Sequence, residues 1–323
     1  MALTSGRALP LWAEIFNDEM GDFWSGEVRW NQPLAPYTTY NIGGPAEGMV
    51  FPGGINEIAY LIQGLRKLDL PWRVIGGGSN ILVADEGLAG MTLVFRKSFG
   101  KIKVVREVND KVYVRVQAGC SLGKLVSWAL DQGLSGLEFA TGIPGTVGGA
   151  LRMNAGAWGA EICQLITSVT VMGGEGCYCI KGQDDLNFSY RSWGEGPGRL
   201  AMEAVLQLKR RPRDQVAERC REAKARRKLS QPQGVASCGS FFKNPPGVVS
   251  AGALIDQAGL KGVRVGDAQV SEKHGNFLIN RGQATAREMI KLMQLVQSEV
   301  KEKHGLFLEP EVQLLGFAQG DAP

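Results

Sequence analysis

Two glycine-rich segments carry the chemistry most open to this chain, which is to hold a diphosphate. Residues 73–80 read Arg-Val-Ile-Gly-Gly-Gly-Ser-Asn, so Gly76, Gly77 and Gly78 directly follow the apolar pair Val74 and Ile75. Glycine permits positive φ, and a turn built that way presents several backbone N–H groups to one anion. Ser79 and Asn80 add side-chain donors. A triple glycine after a strand is by itself more often only a turn. The second segment shifts the balance: Gly133, Gly136, Gly142, Gly145, Gly148, Gly149, Gly156 and Gly159 fall in one non-repetitive stretch, with Pro144 fixing a turn and Asn154 available as a polar contact. Glycine at that density costs conformational entropy on folding. Close approach of backbone to a flat cofactor explains it better than a loop without a ligand.

Residues 137–149, running from Leu137 through Gly142, Ile143, Pro144 and Gly145 to Gly149, resemble the UDP-N-acetylenolpyruvoylglucosamine reductases, members of the larger vanillyl-alcohol-oxidase-like group of FAD enzymes. Five other motifs keep the family order: residues 37–44, 76–80, 188–192, 239–244 and 308–312. The match runs from about Tyr37 to Gly316. It implies a mixed α+β fold, with a two-part FAD-binding domain of the PCMH/vanillyl-alcohol-oxidase type and a C-terminal α+β substrate domain. It also implies that FAD contacts fall at Tyr40, Ile42, Gly43, Gly76, Gly77, Gly78, Ser79, Asn80, Gly142, Ile143, Pro144, Gly145, Gly148, Gly149, Asn154 and Gly156. NADPH is the implied reductant. The cofactor is expected between the N-terminal unit and the unit spanning residues 98–208, with its diphosphate on the 76–80 turn.

The implied reaction adds hydride to the β-carbon of an enolpyruvyl carboxylate and a proton to the α-carbon. The difficult species is an enediolate-like dianion, which groups aimed at the carboxylate stabilise in a dry site. By resemblance Arg191 is that group, and its planar fork fits a carboxylate in two-point contact. Ser240 falls at the proton donor, a role that suits a hydroxyl of high pKa because it protonates a carbanion without doing so prematurely. Glu311 matches the third catalytic position and would assist while protonated, which needs a raised pKa. Glu309 would share its face on a strand, and the motif chooses between them. Tyr190, Lys228, Asn244, Lys261 and His274 match substrate-binding positions, although His274 reads equally well as a structural histidine. Only a short Trp-Gly-rich turn separates Ser192 from Met202, without the longer loop that carries a substrate-clamping tyrosine in one branch. The chain resembles the other branch, type II.

The composition fits this reading. Hydrophobic residues make up 44% and charged residues 21%, as in an ordinary globular protein, and no apolar run approaches the roughly 18 residues of a membrane span. Residues 1–26 contain Arg7, Trp12, Glu14, Asp18, Glu19 and Asp22 without an apolar core, so no secretory signal is expected and a cytoplasmic location is. Cys120, Cys163, Cys177, Cys179, Cys220 and Cys238 lack paired CxxC spacing, so reduced thiols are expected and no metal site is. Only His274 and His304 occur, which leaves no histidine in the flavin motifs for covalent attachment, so FAD is expected to be non-covalent. From Lys209 to Lys228 ten basic residues stand against three acids. Such a run fits nucleic acid, a solvated helix face linking two domains, or positive potential near a diphosphate. No aromatic side chain interleaves it, which disfavours a stacking platform for single strands. No nucleic-acid or membrane partner is expected, and the chain is expected to act as a monomer.

At 323 residues the chain exceeds the size at which single cores usually split. Three units are expected: residues 1–97 completed by a returning strand within 309–323, residues 98–211, and residues 212–308 holding substrate. The spacing of Ile58, Leu61, Ile62, Leu65 and Leu68 predicts a helix over 56–68 between strands at 48–51 and 72–75. Alternation predicts a strand over 111–118, and a helix is expected over 121–131 before the second glycine segment. Strands are expected over 167–172, 202–208, 276–280 and 312–316. Asp214 is expected to cap a helix running to about Lys228, and Thr285 with Glu288 has capping-box spacing for a helix over 286–303. Two functions compete with the leading one: an FAD oxidase of a small 2-hydroxy acid, which has no need of Ser240, and a nucleotide-sugar binding protein without redox activity, which has no need of the catalytic trio.

Overall fold

The computed structural model describes residues 8–21, 24, 26–96, 99–196, 198–247 and 249–317. Arg7, Asp22 and the expected boundary at Ser98 lie outside the described residues, as does the end of the returning segment beyond residue 317.

The first unit is built on a four-stranded sheet ordered Val28–Pro33, Pro45–Val50, Leu88–Val94, Trp72–Ile75. The last three strands are parallel, as the expected strand, helix and strand require. Their connection is the helix Ile55–Lys67, whose Ile58, Leu61, Ile62 and Leu65 are all buried. Gly64 on this helix faces the Met20 sulfur, and a Cβ there would lie 2.7 Å from it. The helices Ala13–Met20 and Ile55–Lys67 thus pack closely because one carries no side chain at the crossing.

The second unit is an antiparallel six-stranded sheet, ordered Tyr178–Gly182, Ile166–Met172, Leu200–Arg210, Lys111–Gln117, Ile102–Val108, with Leu134–Ser135 beside Leu200–Arg210. The alternation in Lys111–Gln117 buries Val112, Val114 and Val116 against the helix Leu122–Asp131, which Ser121 caps by accepting the Lys124 N–H. The third unit holds a small antiparallel sheet of Ala236–Ser237, Leu278–Asn280, Ala268–Val270 and Arg264–Val265. Against it packs the helix Ala286–His304, in which Thr285 and Glu288 form the expected capping box. The last strand, Gln313–Leu315, returns to pair in parallel with Ile81–Val83 of the first unit.

One element differs from expectation. The basic helix spans Arg213–Ser230 and starts from Pro212, whose fixed φ of −53° ends the preceding strand; Asp214 does not cap it but sits in its first turn. There its carboxylate still favours the positive end of the helix dipole. The helix buries only Val216 and Ala223, and it packs against the second unit, at Glu138–Ala140 and the helix Leu122–Asp131. It therefore belongs with that unit and does not open the third. Most of its charges are solvated. No helix among the described residues is long and apolar enough to cross a membrane.

Candidate active site

A cavity of about 1220 Å³ lies where the three units meet, walled by residues of both glycine segments, the basic helix, residues 237–240 and Glu311. The glycines have a reason that the sequence alone concealed. A Cβ on Gly77 would lie 2.5 Å from the Gly145 Cα, one on Gly76 2.4 Å from the Thr146 Oγ1, and one on Gly78 1.9 Å from the Tyr37 carbonyl oxygen. The segments thus lie backbone against backbone, so part of the glycine density serves their mutual contact. Gly78 also holds φ +64°, in the left-handed region. Ser79 donates its hydroxyl to the Pro144 carbonyl at 3.1 Å and Asn80 donates its amide to the Glu311 carbonyl at 3.0 Å, so both expected side-chain donors hold the wall together. The N–H groups of residues 77–80 meet no acceptor among the described residues. A row of unpaired donors on a turn at a cavity edge fits a diphosphate. By contrast, the short helix Val147–Arg152 spends its first N–H groups on the carbonyls of Cys120 and Ala118.

Tyr40, Ile42 and Gly43, expected at the cofactor, are not in the cavity wall. Tyr40 is fully buried, donates its hydroxyl to the Leu278 carbonyl at 3.2 Å, and its own carbonyl accepts from Asn280 at 2.9 Å. Thr39 donates its N–H to the Gly78 carbonyl at 2.9 Å. The 37–44 motif therefore stands behind the glycine turn and ties it to the third unit. Asn154 is likewise no wall residue. It is 1% exposed and its amide is spent on protein partners.

The three residues expected to be catalytic, Arg191, Ser240 and Glu311, come from two units and the returning segment. Arg191 sits third in a four-residue turn closed by reciprocal backbone bonds between Ser189 and Ser192 of 2.9 and 3.0 Å, and its φ is +57°, a costly conformation for a branched-free but bulky side chain. Its guanidinium lies over the Tyr190 ring at 4.9 Å, and its Nε lies 2.6 Å from the Glu311 Oε1. That N–H is not aligned for a hydrogen bond. The terminal nitrogens of Arg191 have no hydrogen-bond partner among the described residues. Burial raises the Glu311 carboxyl above its ordinary pKa, against the opposing pull of Arg191 and Lys243.

Glu311 is placed by its own N–H, which donates to the Phe241 carbonyl at 2.7 Å, so residues 240–244 run beside 309–312. The two glutamates lie in different environments. Glu309 is 68% exposed and pairs with Lys243 at 3.1 Å, whereas Glu311 is 12% exposed at the cavity. Ser240 is half-buried at the wall, and its hydroxyl has no partner among the described residues. The preceding Gly239, at φ +79°, turns the chain into it.

Lys228, Asn244 and His274 also line the cavity, while Tyr190 and Lys261 do not. Tyr190 instead accepts the Asn244 N–H at its hydroxyl, 3.3 Å away, and Lys261 pairs with Asp256. The His274 Nδ1 accepts the Asn276 N–H at 3.1 Å, and burial, with the nearby Lys261 charge, holds the imidazole below its ordinary pKa. Sequence reasoning missed Lys224, Arg227 and Gln231, which line the cavity with Lys228. The spacing of three and four puts Lys224, Arg227 and Lys228 on one helix face, a signal that was available, while Gln231 follows at the helix C-cap in extended conformation. Arg227 stacks over Trp158 at 5.0 Å, and its Nε is buried without a partner.

Comparison with known proteins agrees with this architecture. Residues 231–315 match the family model for the C-terminal domain of UDP-N-acetylenolpyruvoylglucosamine reductase, and residues 46–179 match that for an FAD binding domain. UDP-N-acetylenolpyruvoylglucosamine reductase 2 of Symbiobacterium thermophilum is 44% identical over 90% of this chain and 93% of its own length. The chain belongs to the UDP-N-acetylenolpyruvoylglucosamine reductase family. The reductase of Desulfosudis oleivorans is 40% identical over 90% of this chain and 95% of its own. The crystal structure of the reductase from Thermus caldophilus superposes with a TM-score of 0.74 at 37% identity, covering 90% of this chain and 98% of that one. An alkyldihydroxyacetonephosphate synthase, at 17% identity and a TM-score of 0.51 over 65% of this chain and 42% of its own, shares the fold of the flavin-binding part. The enzymes of this family are FAD oxidoreductases, and the mixed α+β fold with its flavin-binding and C-terminal parts is the one expected from the sequence.

Proposed function

We propose that this enzyme reduces UDP-N-acetylglucosamine enolpyruvate to UDP-N-acetylmuramate, with NADPH as the electron source, acting as a cytoplasmic monomer in peptidoglycan precursor synthesis. The observation that carries the reading is the buried contact of Arg191 with Glu311 at a wall that also presents the unengaged Ser240 hydroxyl. FAD, when bound without a covalent link, supplies the hydride to the β-carbon.

The chain's own residues supply the rest. The unpaired N–H groups of residues 77–80 would hold the cofactor's diphosphate, and the backbone of residues 142–145, 148, 149 and 156 would complete its site. The free fork of Arg191 takes the substrate carboxylate in two-point contact and favours the dianion over the ground state because its charge is fixed in place before the reaction. In its protonated form, which burial favours, Glu311 donates a hydrogen bond to the same carboxylate. Ser240 then donates its proton to the α-carbon. Lys228, with Lys224 and Arg227 on the same helix face, balances the charge of the nucleotide diphosphate, while Asn244 and His274 contact the sugar side. Tyr190 supports Arg191 from below, and Lys261 acts from outside the wall through Asp256 and its field at His274.

Stopped-flow kinetics on Ser240→Ala tests this. Reduction by NADPH should stay within twofold of wild type, whereas reoxidation by the enolpyruvyl substrate should slow by about 10²-fold or more, the usual contribution of a general acid. Equal slowing of both half-reactions would make Ser240 a structural residue. An enzyme that a small 2-hydroxy acid bleaches and NADPH does not would be an oxidase, and one that neither bleaches would be only a binding protein.

A further inference from the structure

Asn154 is buried, left-handed at φ +41°, and joined to three segments at once. Its amide nitrogen donates to the Ser189 carbonyl at 3.1 Å and to the Glu161 Oε2 at 2.8 Å, and its amide oxygen accepts the Cys163 N–H at 3.3 Å. Ser189 is the first residue of the turn that carries Arg191, and the carbonyl that Asn154 grips is the one that closes the turn by accepting the Ser192 N–H. Glu161 is itself fixed, because it completes a capping box with Gln164 on the turn Ile162–Leu165. The side chain therefore clamps the base of a strained turn to a rigid support.

We propose that Asn154 is a positioning residue whose task is to hold Arg191 in its left-handed conformation, aimed at the substrate carboxylate. The proposal rests on the reading of Arg191 given above. A strained φ at a non-glycine residue persists only where its surroundings over-determine it, and Asn154 supplies one such restraint, its amide joining the Ser189 carbonyl of the turn to the fixed Glu161 carboxylate. Fork geometry tolerates little misplacement, since a shift of about 1 Å costs on the order of 10²-fold in rate. An aspartate here would lose both donors and face Glu161 with a like charge; a serine would be too short to reach all three partners.

The test uses the FAD-loaded enzyme and Asn154→Gly, which keeps the left-handed backbone and removes only the side chain. Reoxidation by the enolpyruvyl substrate should slow at least tenfold, while reduction by NADPH and FAD affinity stay within twofold. In an Arg191→Lys background, which has no fork to aim, the same change should add less than threefold. An equal factor in both backgrounds would make Asn154 a general structural residue and overturn the proposal. Weakened FAD affinity with unchanged reoxidation would make it the cofactor contact first expected, and also overturns it. If Asn154→Gly does not fold, Glu161→Gln leaves Asn154 in place and weakens its anchor; reoxidation should slow at least threefold with reduction unchanged, and an unaltered rate overturns the proposal. If Arg191→Lys alone leaves reoxidation untouched, the reading of Arg191 itself fails, visible in that single variant, and the positioning role falls with it.

Discussion

At the scale of single residues, the arrangement of Arg191 and Glu311 makes a kinetic claim. On the proposed reading the two groups, 2.6 Å apart at one wall, act on one carboxylate, so removing them should be non-additive. Arg191→Lys and Glu311→Gln should each slow reoxidation, and the double variant should cost less than the sum by more than about 0.5 kcal/mol. A double-mutant cycle on reoxidation measures this, and strict additivity would show that the residues do not share the developing charge. The raised pKa of Glu311 adds a pH signature. Its useful form is protonated, so the reoxidation rate should fall as pH rises through that raised pKa, and Glu311→Gln, which keeps a donor, should lack the limb. The stability linkage has the same sign. Between its ordinary and raised pKa the folded state binds more protons than the unfolded one, so Glu311 costs increasing stability as pH rises. Urea titrations across that window should show a flatter dependence for Glu311→Gln.

At the scale of elements, the glycine turns divide into two kinds that the sequence does not distinguish. Gly78 and Gly159 both hold positive φ, at +64° and +82°, but a Cβ on Gly78 would collide with the Tyr37 carbonyl whereas one on Gly159 would meet nothing within 4 Å. Gly159→Ala should therefore cost only the left-handed penalty, roughly 1–2 kcal/mol. Gly78→Ala should add a clash with backbone and cost about 3 kcal/mol or more, because the turn cannot yield without breaking the Thr39 bond to Gly78. Thermal unfolding of the two variants, with FAD affinity measured alongside, checks the difference. Similar losses for both would mean that the backbone approach at Gly78 relaxes easily. The helix Ala286–His304 has a related redundancy: besides its own Thr285 cap, the Asp85 carboxylate accepts the N–H groups of Ala286 at 2.8 Å and Arg287 at 3.1 Å. That carboxylate comes from the first unit, so a local capping device also ties two units together.

At the scale of the whole molecule, the cavity is a joint. Its walls come from segments more than 200 residues apart, and the same segments make the cross-unit bonds of Tyr40 to Leu278, Asn80 to Glu311 and the parallel pairing of Gln313–Leu315 with Ile81–Val83. A ligand in that joint binds the folded, assembled form alone. FAD at 100 times its dissociation constant should therefore stabilise the protein by about 2.7 kcal/mol, seen as a single transition moving to higher temperature. If only the flavin-binding units shifted and a second transition stayed in place, the third unit would be energetically independent of the cofactor.

The sequence by itself determined the elements whose signal is local: the amphipathic helices, the alternation in Lys111–Gln117, the Thr285 capping box, and the ordered motifs that assign the family. These depend on periodicity and on residues a few positions apart, which the chain displays directly. Only the tertiary structure decided which motif residues touch the cavity. Tyr40 and Asn154 belong to motifs that serve the site, yet their side chains are buried behind it, because holding a loop in place demands partners on the side away from the ligand. Glu311 was already chosen over Glu309 by its motif; the structure adds the physical reason, with Glu309 paired to Lys243 at the surface and the Glu311 N–H held on the Phe241 carbonyl at the wall. The basic helix went to the second unit for the same kind of reason: its packing against Glu138–Ala140 and Leu122–Asp131, with Cys220 against that unit's core, is a contact between distant residues, and no pattern within residues 213–230 encodes its partner.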